Sequence, residues 1–127
     1  MADINLSIAD SFGASALGQK FAIYVPNQDS SGRPIDQERW VDAALHLFSE
    51  LFGGATAQPY LKGAWLNPKT KQLIIEEPQL VYSYVRGEVF VQHIEILRNF
   101  MTKMGRETRQ GQIGFEFDGT FFLIDIE

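Results

Sequence analysis

The sequence predicts an α+β two-layer sandwich, in which two helices cover one face of a mostly antiparallel sheet. Three observations predict this class. Segments of two-residue periodicity alternate with two segments of helical periodicity, 45% of the 127 residues are hydrophobic, and Asp118-Gly119 joins the last two strand-like segments, which is a strong hairpin signal. A chain of this length forms one domain and buries a core without disulfides.

The first strand and the first helix have clear boundaries. Residues 20–26 alternate their apolar side chains, which predicts a strand. Asp36 is a suitable helix N-cap. The apolar residues after it recur at helical spacing, at Trp40, Ala44, Leu47, Phe48, Leu51 and Phe52. We expect Gly53 and Gly54 to end this helix, because glycine adopts the left-handed C-cap conformation at little cost.

Two prolines interrupt the middle of the chain. Residues 55–67 are typical of a strand broken near Pro59, and a turn follows over 67–71. Residues 72–85 predict a long strand that is broken or bulged at Pro78. The region therefore contributes two strands between the two helices.

A second helix is predicted from Glu88 to Thr108, with Gly105 near its end, followed by strands over 112–117 and 120–126. Its main apolar residues are Phe90, Ile94, Leu97, Met101 and Met104. The order β-α-β-β-α-β plus one strand predicts a ferredoxin-like sandwich with an extra C-terminal hairpin strand. Residues 20–127 form this single domain, and residues 1–19 are expected to be a mobile arm with one weak helical turn over Ser11–Leu17.

Composition limits the possible partners. The chain has no Cys, a net charge of −5 and no apolar stretch of membrane-spanning length. We therefore predict a cytoplasmic protein without a membrane partner, for which nucleic acid is an unfavourable partner. A basic stretch late in the second helix keeps nucleic-acid binding as one alternative, carried by Arg98, Lys103, Arg106 and Arg109.

No cofactor or metal is predicted. Gly53-Gly54 follows a helix instead of opening one, so it lacks the helix N-terminus that binds phosphate. His46 and His93 each lie on a helix, and neither belongs to a metal-binding motif. A surface hydrogen bond to Glu50 or Asp42 is the ordinary role for His46.

Adjacent carboxylates and several aromatic residues are the remaining candidates for a site. Glu76 and Glu77 point to opposite faces of a strand, so one could be buried and act as a base, unless the bend at Pro78 brings both to water. If the second sheet face is open, Tyr24, Tyr82 and Tyr84 could lie on it. Such a face suits a small-molecule pocket, a dimer interface or base stacking.

The stretches YVPN, LFGGAT, GAW, IIEEPQLVYSY and GFEFDGTFFLI resemble those of small bacterial proteins of unassigned function. The resemblance covers residues 20–126 and implies a compact α+β domain, but no reaction. If that family has a site, the matching positions here are Thr56, Trp65 and Glu77.

The leading hypothesis from the sequence is a non-enzymatic domain that forms a homodimer or binds a protein or small-molecule partner. An aromatic-rich pattern without an assembled catalytic set motivates it. The alternative is a small enzyme or ligand carrier, with a pocket between sheet and helices that uses Glu77, Trp65 and Tyr82. The candidate ligand-binding set is therefore Thr56, Trp65, Glu77 and Tyr82, and no residue is assigned to catalysis.

Overall fold

The structure is a computed structural model that describes residues 3–126. Its helices are α1 (Asp3–Phe12), α2 (Gln37–Phe52), α3 (Gly87–Gln92) and α4 (Ile94–Glu107). Its strands are β1 (Gln19–Val25), β2 (Thr56–Gln58), β3 (Gly63–Leu66), β4 (Leu73–Glu76), β5 (Gln79–Val85), β6 (Gln112–Phe117) and β7 (Thr120–Asp125). Met1 and Ala2 of the predicted arm, and Glu127 of the predicted domain, lie outside the described residues.

The main sheet has five strands in the order β2-β5-β1-β6-β7, and each neighbouring pair is antiparallel. Without β7, this is the strand order of a ferredoxin-like sandwich. The hairpin of β6 and β7 adds the extra edge strand. The predicted α+β fold class is confirmed.

One face of the sheet carries the core. The register places Phe21 opposite both Ser83 and Phe117, and Ile23 opposite both Val81 and Phe115, so these side chains share a face. Helices α2 and α4 cover this face, although Ala22, on the other face of β1, is also fully buried. The core contains Phe21, Ile23, Val25, Val41, Ala44, Phe48, Val81, Leu97, Met101, Met104 and Ile113.

Both ends of α2 follow the sequence prediction. The Asp36 carboxylate accepts a hydrogen bond from the Arg39 backbone N–H at 3.3 Å. At the other end, Gly53 has φ of 90°, and its N–H donates to the Ser49 carbonyl at 2.8 Å. The glycine pair therefore ends a helix, as predicted, and does not open a phosphate-binding loop.

The predicted second helix is in fact two helices, because α3 ends at Gln92 and α4 begins at Ile94. Gly105 does not end α4, which continues to Glu107. Instead Gly105 is buried, and a Cβ there would lie 2.6 Å from Ile126 Cγ1 and 3.0 Å from Ile113 Cγ1. The glycine allows close packing of the helix on the C-terminal hairpin.

The prolines break the strands where the sequence predicts. After the break at Pro59, β3 leaves the main sheet and pairs only with β4 in a separate two-stranded sheet. After Pro78 the chain returns to the main sheet as β5. The excursion thus inserts a small hairpin between two strands of the ferredoxin-like unit.

The N-terminal segment is more helical than expected. The weak turn predicted over Ser11–Leu17 is misplaced, because the helix spans Asp3–Phe12 and the chain from Ala14 to Gly18 has no regular structure. Mobility of this arm remains a prediction. No helix within residues 3–126 combines the length and the apolar character needed to span a bilayer.

Candidate functional site

A cleft of about 280 Å³ opens where the end of β1, the start of α2 and the start of β5 meet. We call it the polar cleft. The ends of the two strands and of the helix meet here, so some of their backbone groups have no partner in regular secondary structure. Its lining residues are Asn27, Gln37, Glu38, Pro59, Tyr60, Glu77 and Gln79.

Gln37 holds two parts of the cleft wall together. It is the first residue of α2, directly after the N-cap. Its Nε2 donates to the Val25 carbonyl at 3.1 Å and to the Glu77 carbonyl at 3.0 Å. One amide therefore fixes the end of β1 against the turn that precedes β5.

Gln79 lies beneath Gln37 and is buried, with 9% of its surface exposed. Its Nε2 donates to Gln37 Oε1 at 3.1 Å and to Glu38 Oε1 at 2.7 Å. The bond to the carboxylate is charge-assisted and therefore stronger than a neutral one. The two glutamine amides and Glu38 thus form one connected network that orients the cleft.

Asn27 and Glu77 complete the wall. The Glu77 backbone N–H donates to Asn27 Oδ1 at 3.0 Å. Among the hydrogen bonds of residues 3–126, none uses the Glu77 carboxylate, which is exposed at the rim. The backbone of Glu77 is held while its charge stays accessible to a ligand.

The cleft is negatively charged. Its described lining includes the carboxylates of Glu38 and Glu77 and no Lys or Arg. Glu38 lies in the first turn of α2, where the helix dipole stabilises its negative charge. A cation or a donor-rich ligand is therefore favoured here over an anion.

Tyr60 gives the cleft an aromatic surface. It adopts φ of 64° and is 97% exposed. A bulky residue in the left-handed region is strained, and such strain is found at functional sites more often than elsewhere. An exposed ring at the mouth of a cleft can stack on a planar ligand or contact a cation through its face.

The structure distributes the four residues of the candidate set over three places. Thr56 and Tyr82 are directly opposite each other on β2 and β5, on the sheet face away from the helices. Trp65 lies on the β3–β4 hairpin opposite Ile74. Glu77 alone lines the polar cleft. These four side chains do not line one cavity, and their role in ligand binding remains a prediction.

The other titratable candidates occupy ordinary positions. Glu76 is half-buried at the end of β4, whereas Glu77 is exposed. His46 is exposed and pairs with Glu50 one helical turn away. His93 lies at the break between α3 and α4, where its ring meets Phe52 edge to face at 5.9 Å. Within residues 3–126, no three His, Asp or Glu side chains converge as a possible metal site.

The open face of the sheet holds the predicted tyrosines. Tyr24, Tyr82 and Tyr84 share this face by register. The Tyr24 hydroxyl donates to Glu116 Oε1 at 2.8 Å across to β6. Partial burial, followed by this hydrogen bond and the negative charge of Glu116, raises the pKa of Tyr24 to about 12.

Sequence reasoning did not identify most of the cleft. Asn27 and the glutamines at 37 and 79 belong to no recognisable binding motif. A usable signal was present, because the N-cap at Asp36 places residues 37 and 38 beside the end of β1 in a β-α crossover. Only the strand order shows that residue 79 reaches the same end of the sheet.

The fold is similar to that of two solved phage SAM lyase structures. One, in complex with S-methyl-5'-thioadenosine, has a TM-score of 0.65 at 13% identity, covering 89% of this chain and 95% of that chain. The other, in the apo state, has a TM-score of 0.56 at 15% identity, covering 87% of this chain and 90% of that chain. No protein-family model matches the sequence, and no curated protein matches it significantly.

This comparison contradicts the leading hypothesis of a non-enzymatic domain, because the matching structures are those of enzymes. It favours the alternative, a small enzyme or ligand carrier. The pocket differs from the predicted one, however. The polar cleft lies at the ends of strands, and neither Trp65 nor Tyr82 lines it. The resemblance to bacterial proteins of unassigned function remains a prediction.

Proposed function

We propose that the polar cleft binds S-adenosylmethionine (SAM), and that the chain cleaves it to S-methyl-5'-thioadenosine (MTA). The observation that carries the proposal is a cleft with two carboxylates, an exposed tyrosine ring and no basic side chain in its described lining. It occurs in a fold similar to that of a phage SAM lyase solved with MTA.

The chemistry of the cleft suits the charges of SAM. The ligand carries a positive sulfonium and a positive ammonium group, and the carboxylates of Glu38 and Glu77 attract such groups. The ring of Tyr60 offers a stacking surface for the adenine. The amides of Gln37 and Gln79 present oriented polar groups for the ribose or the amino-acid end.

The reaction conserves atoms and electrons without a co-reactant. The bond between sulfur and the four-carbon chain breaks, and its electron pair stays on sulfur, giving the neutral thioether of MTA. The four-carbon fragment either closes on its own carboxylate oxygen or loses a proton to a base. Both products lack the water that hydrolysis would add, so mass spectrometry separates a lyase from a hydrolase.

The electrostatics indicate how the carboxylates act. The positive charge on sulfur disappears as the bond breaks, so a nearby carboxylate stabilises bound SAM more than the transition state. Glu38 and Glu77 therefore contribute mainly to affinity for the cation. MTA lacks the sulfonium and ammonium charges, so its affinity depends on Tyr60 and the glutamine amides instead.

The test is incubation of the purified chain with SAM, followed by liquid chromatography and mass spectrometry. We expect MTA and a four-carbon product without added water, formed in proportion to protein concentration. Replacement of Tyr60 by Ala is expected to abolish MTA formation, whereas the exposed hairpin variant Trp65→Ala retains it. MTA formation that is equal in wild type and Tyr60→Ala would contradict the assignment to this cleft.

A binding measurement separates the roles of the two carboxylates and the ring. Glu77→Gln is expected to weaken SAM binding about tenfold while leaving MTA binding unchanged, because only SAM is cationic. Isothermal titration calorimetry measures the affinity for each ligand. Equal losses of affinity for the two ligands would show that Glu77 acts on a shared part of the ligand instead.

The cytoplasmic location expected from the sequence belongs to this proposal, since SAM is an intracellular metabolite.

A further inference from the structure

A second concave surface has the opposite character. It is a groove of about 320 Å³ between α3, α4 and the β6–β7 hairpin. We call it the apolar groove. Apart from Arg98 at its rim, every lining residue is hydrophobic: Phe90, Ile94, Leu97, Met101, Phe115, Phe117, Phe122 and Ile124. Such a surface gives no hydrogen bonds to a small polar ligand, but it fits the apolar face of a helix.

Helix α1 presents such a face. Ile4, Ile8 and Phe12 recur at four-residue spacing, which aligns them along one side of the helix. They are 61%, 51% and 81% exposed, respectively. A stripe of large apolar side chains is therefore open to water along the whole helix, although burial of each would stabilise the fold.

The connection to the domain permits exchange between copies. Residues 13–18 join α1 to β1, and both Gly13 and Gly18 have positive φ, at 61° and 141°. Within one chain this connection leaves the α1 stripe exposed and the groove unfilled. Exchange of a terminal element between identical chains buries both the α1 stripe and the apolar groove, and it gives a closed two-fold dimer.

We propose that α1 of one copy docks its Ile4–Ile8–Phe12 stripe into the apolar groove of a second copy, reciprocally. Asp10 lies about 200° around α1 from Ile8, so docking of the stripe buries apolar side chains and leaves this carboxylate in water. Two docked helices bury on the order of 1,200 Å², the lower limit of a stable interface. The proposal is independent of the reaction in the polar cleft.

Cysteine cross-linking tests the exchange directly, because the natural chain has no Cys. One variant carries Ile8→Cys and a second carries Phe122→Cys, so a disulfide between residues 8 and 122 requires two chains. After mixing and mild oxidation, we expect a heterodimer band on a non-reducing gel. A control pair uses Leu6→Cys in place of Ile8→Cys, since residue 6 is about 200° around the helix from residue 4.

Heterodimer formation with the residue-8 variant well above the control supports the proposal, and equal or absent formation overturns it. Light scattering provides the second measurement. Wild type is expected to dimerise at tens of micromolar, Ile8→Asp to weaken dimerisation at least tenfold, and Leu6→Asp to change it less than threefold. A monomeric wild type, or equal effects of the two variants, would overturn the proposal. Circular dichroism confirms that each variant is folded.

Discussion

The polar cleft and the apolar groove have similar sizes, about 280 and 320 Å³, but opposite chemistry. The cleft is built from the ends of β1, α2 and β5, where amide side chains replace regular backbone hydrogen bonds. The groove is built from the middle of α4 and the C-terminal hairpin, where the backbone is already paired and only apolar side chains remain.

The difference shows that position in the fold determines what a concavity can bind. Element ends supply oriented donors and acceptors, which recognise a small polar ligand. Element faces supply apolar area, which recognises another element of structure. If the two regions are independent, a substitution in the groove should leave ligand binding in the cleft unchanged.

Removal of a groove ring should destabilise the domain without affecting the cleft. Phe90 stacks on Phe117 at 4.3 Å and contacts Phe21 at 5.0 Å between ring centroids. Phe90→Ala should therefore lower the free energy of unfolding by about 3 kcal/mol. Urea denaturation measures this loss, and MTA titration of the folded variant should give the wild-type affinity. Lost MTA binding in a folded variant would mean that the two regions are coupled.

Removal of the buried amide in the cleft should affect both stability and ligand binding. Gln79→Ala deletes the donor to Gln37 and Glu38 and leaves their oxygens without that partner. We expect a loss of about 2 kcal/mol in the free energy of unfolding and weaker MTA binding. Gln112→Ala is the matched control, since Gln112 makes an exposed hydrogen bond to Asp125. A similar stability loss in both variants would argue against a special network at the cleft.

The open face of the sheet belongs to neither concavity and provides a reference region. Tyr24→Phe removes the hydrogen bond to Glu116 and should lower the free energy of unfolding by about 1 kcal/mol at neutral pH, without changing MTA binding. The folded-state pKa of Tyr24 is raised to about 12, above its ordinary value of 10.0. The stability that the protonated Tyr24 hydroxyl contributes is therefore fully present below pH 10 and is lost as the pH rises towards 12.

Unfolding measured from pH 8 to 12 checks this behaviour. Wild type should lose more stability than Tyr24→Phe over the upper part of the range. Parallel curves for the two proteins would show that Tyr24 titrates normally.

Much of the fold was predictable, because it depends on local signals. Alternation identifies β1, helical spacing with Asp36 and Gly53 defines α2, and Asp118-Gly119 defines the final hairpin. The break at His93 was missed, since apolar spacing continues across it. The burial of Gly105 was not predictable, since only tertiary packing shows what lies against it.

The candidate site was less predictable, because its residues are joined only by strand order. Gln37 and Gln79 are 42 positions apart, and a glutamine in either segment carries no distinctive signal alone. Glu77 was identified from its charge in a strand context. Tyr60 was missed because its left-handed backbone is a property of conformation, which the sequence around Pro59 does not specify.

The smallest expected stability effect concerns Tyr60. Tyr60→Gly should relieve left-handed strain and raise the free energy of unfolding by about 0.5–1 kcal/mol, while removing MTA binding. Lys71→Gly is the matched control, because Lys71 has φ of 62° in an exposed turn. It should give a similar gain with unchanged binding. Loss of stability in Tyr60→Gly would contradict the assignment of strain.

The most direct measurement is a titration of the isotope-labelled chain with MTA, followed by amide and side-chain NH₂ resonances in two-dimensional NMR spectra. We predict the largest shifts for the side-chain amides of Gln37 and Gln79 and for the backbone amides of Tyr60 and Glu77. The resonances of the apolar groove should remain unchanged. Shifts confined to the groove, or no shifts at millimolar MTA, would contradict the assignment of the polar cleft as the ligand site.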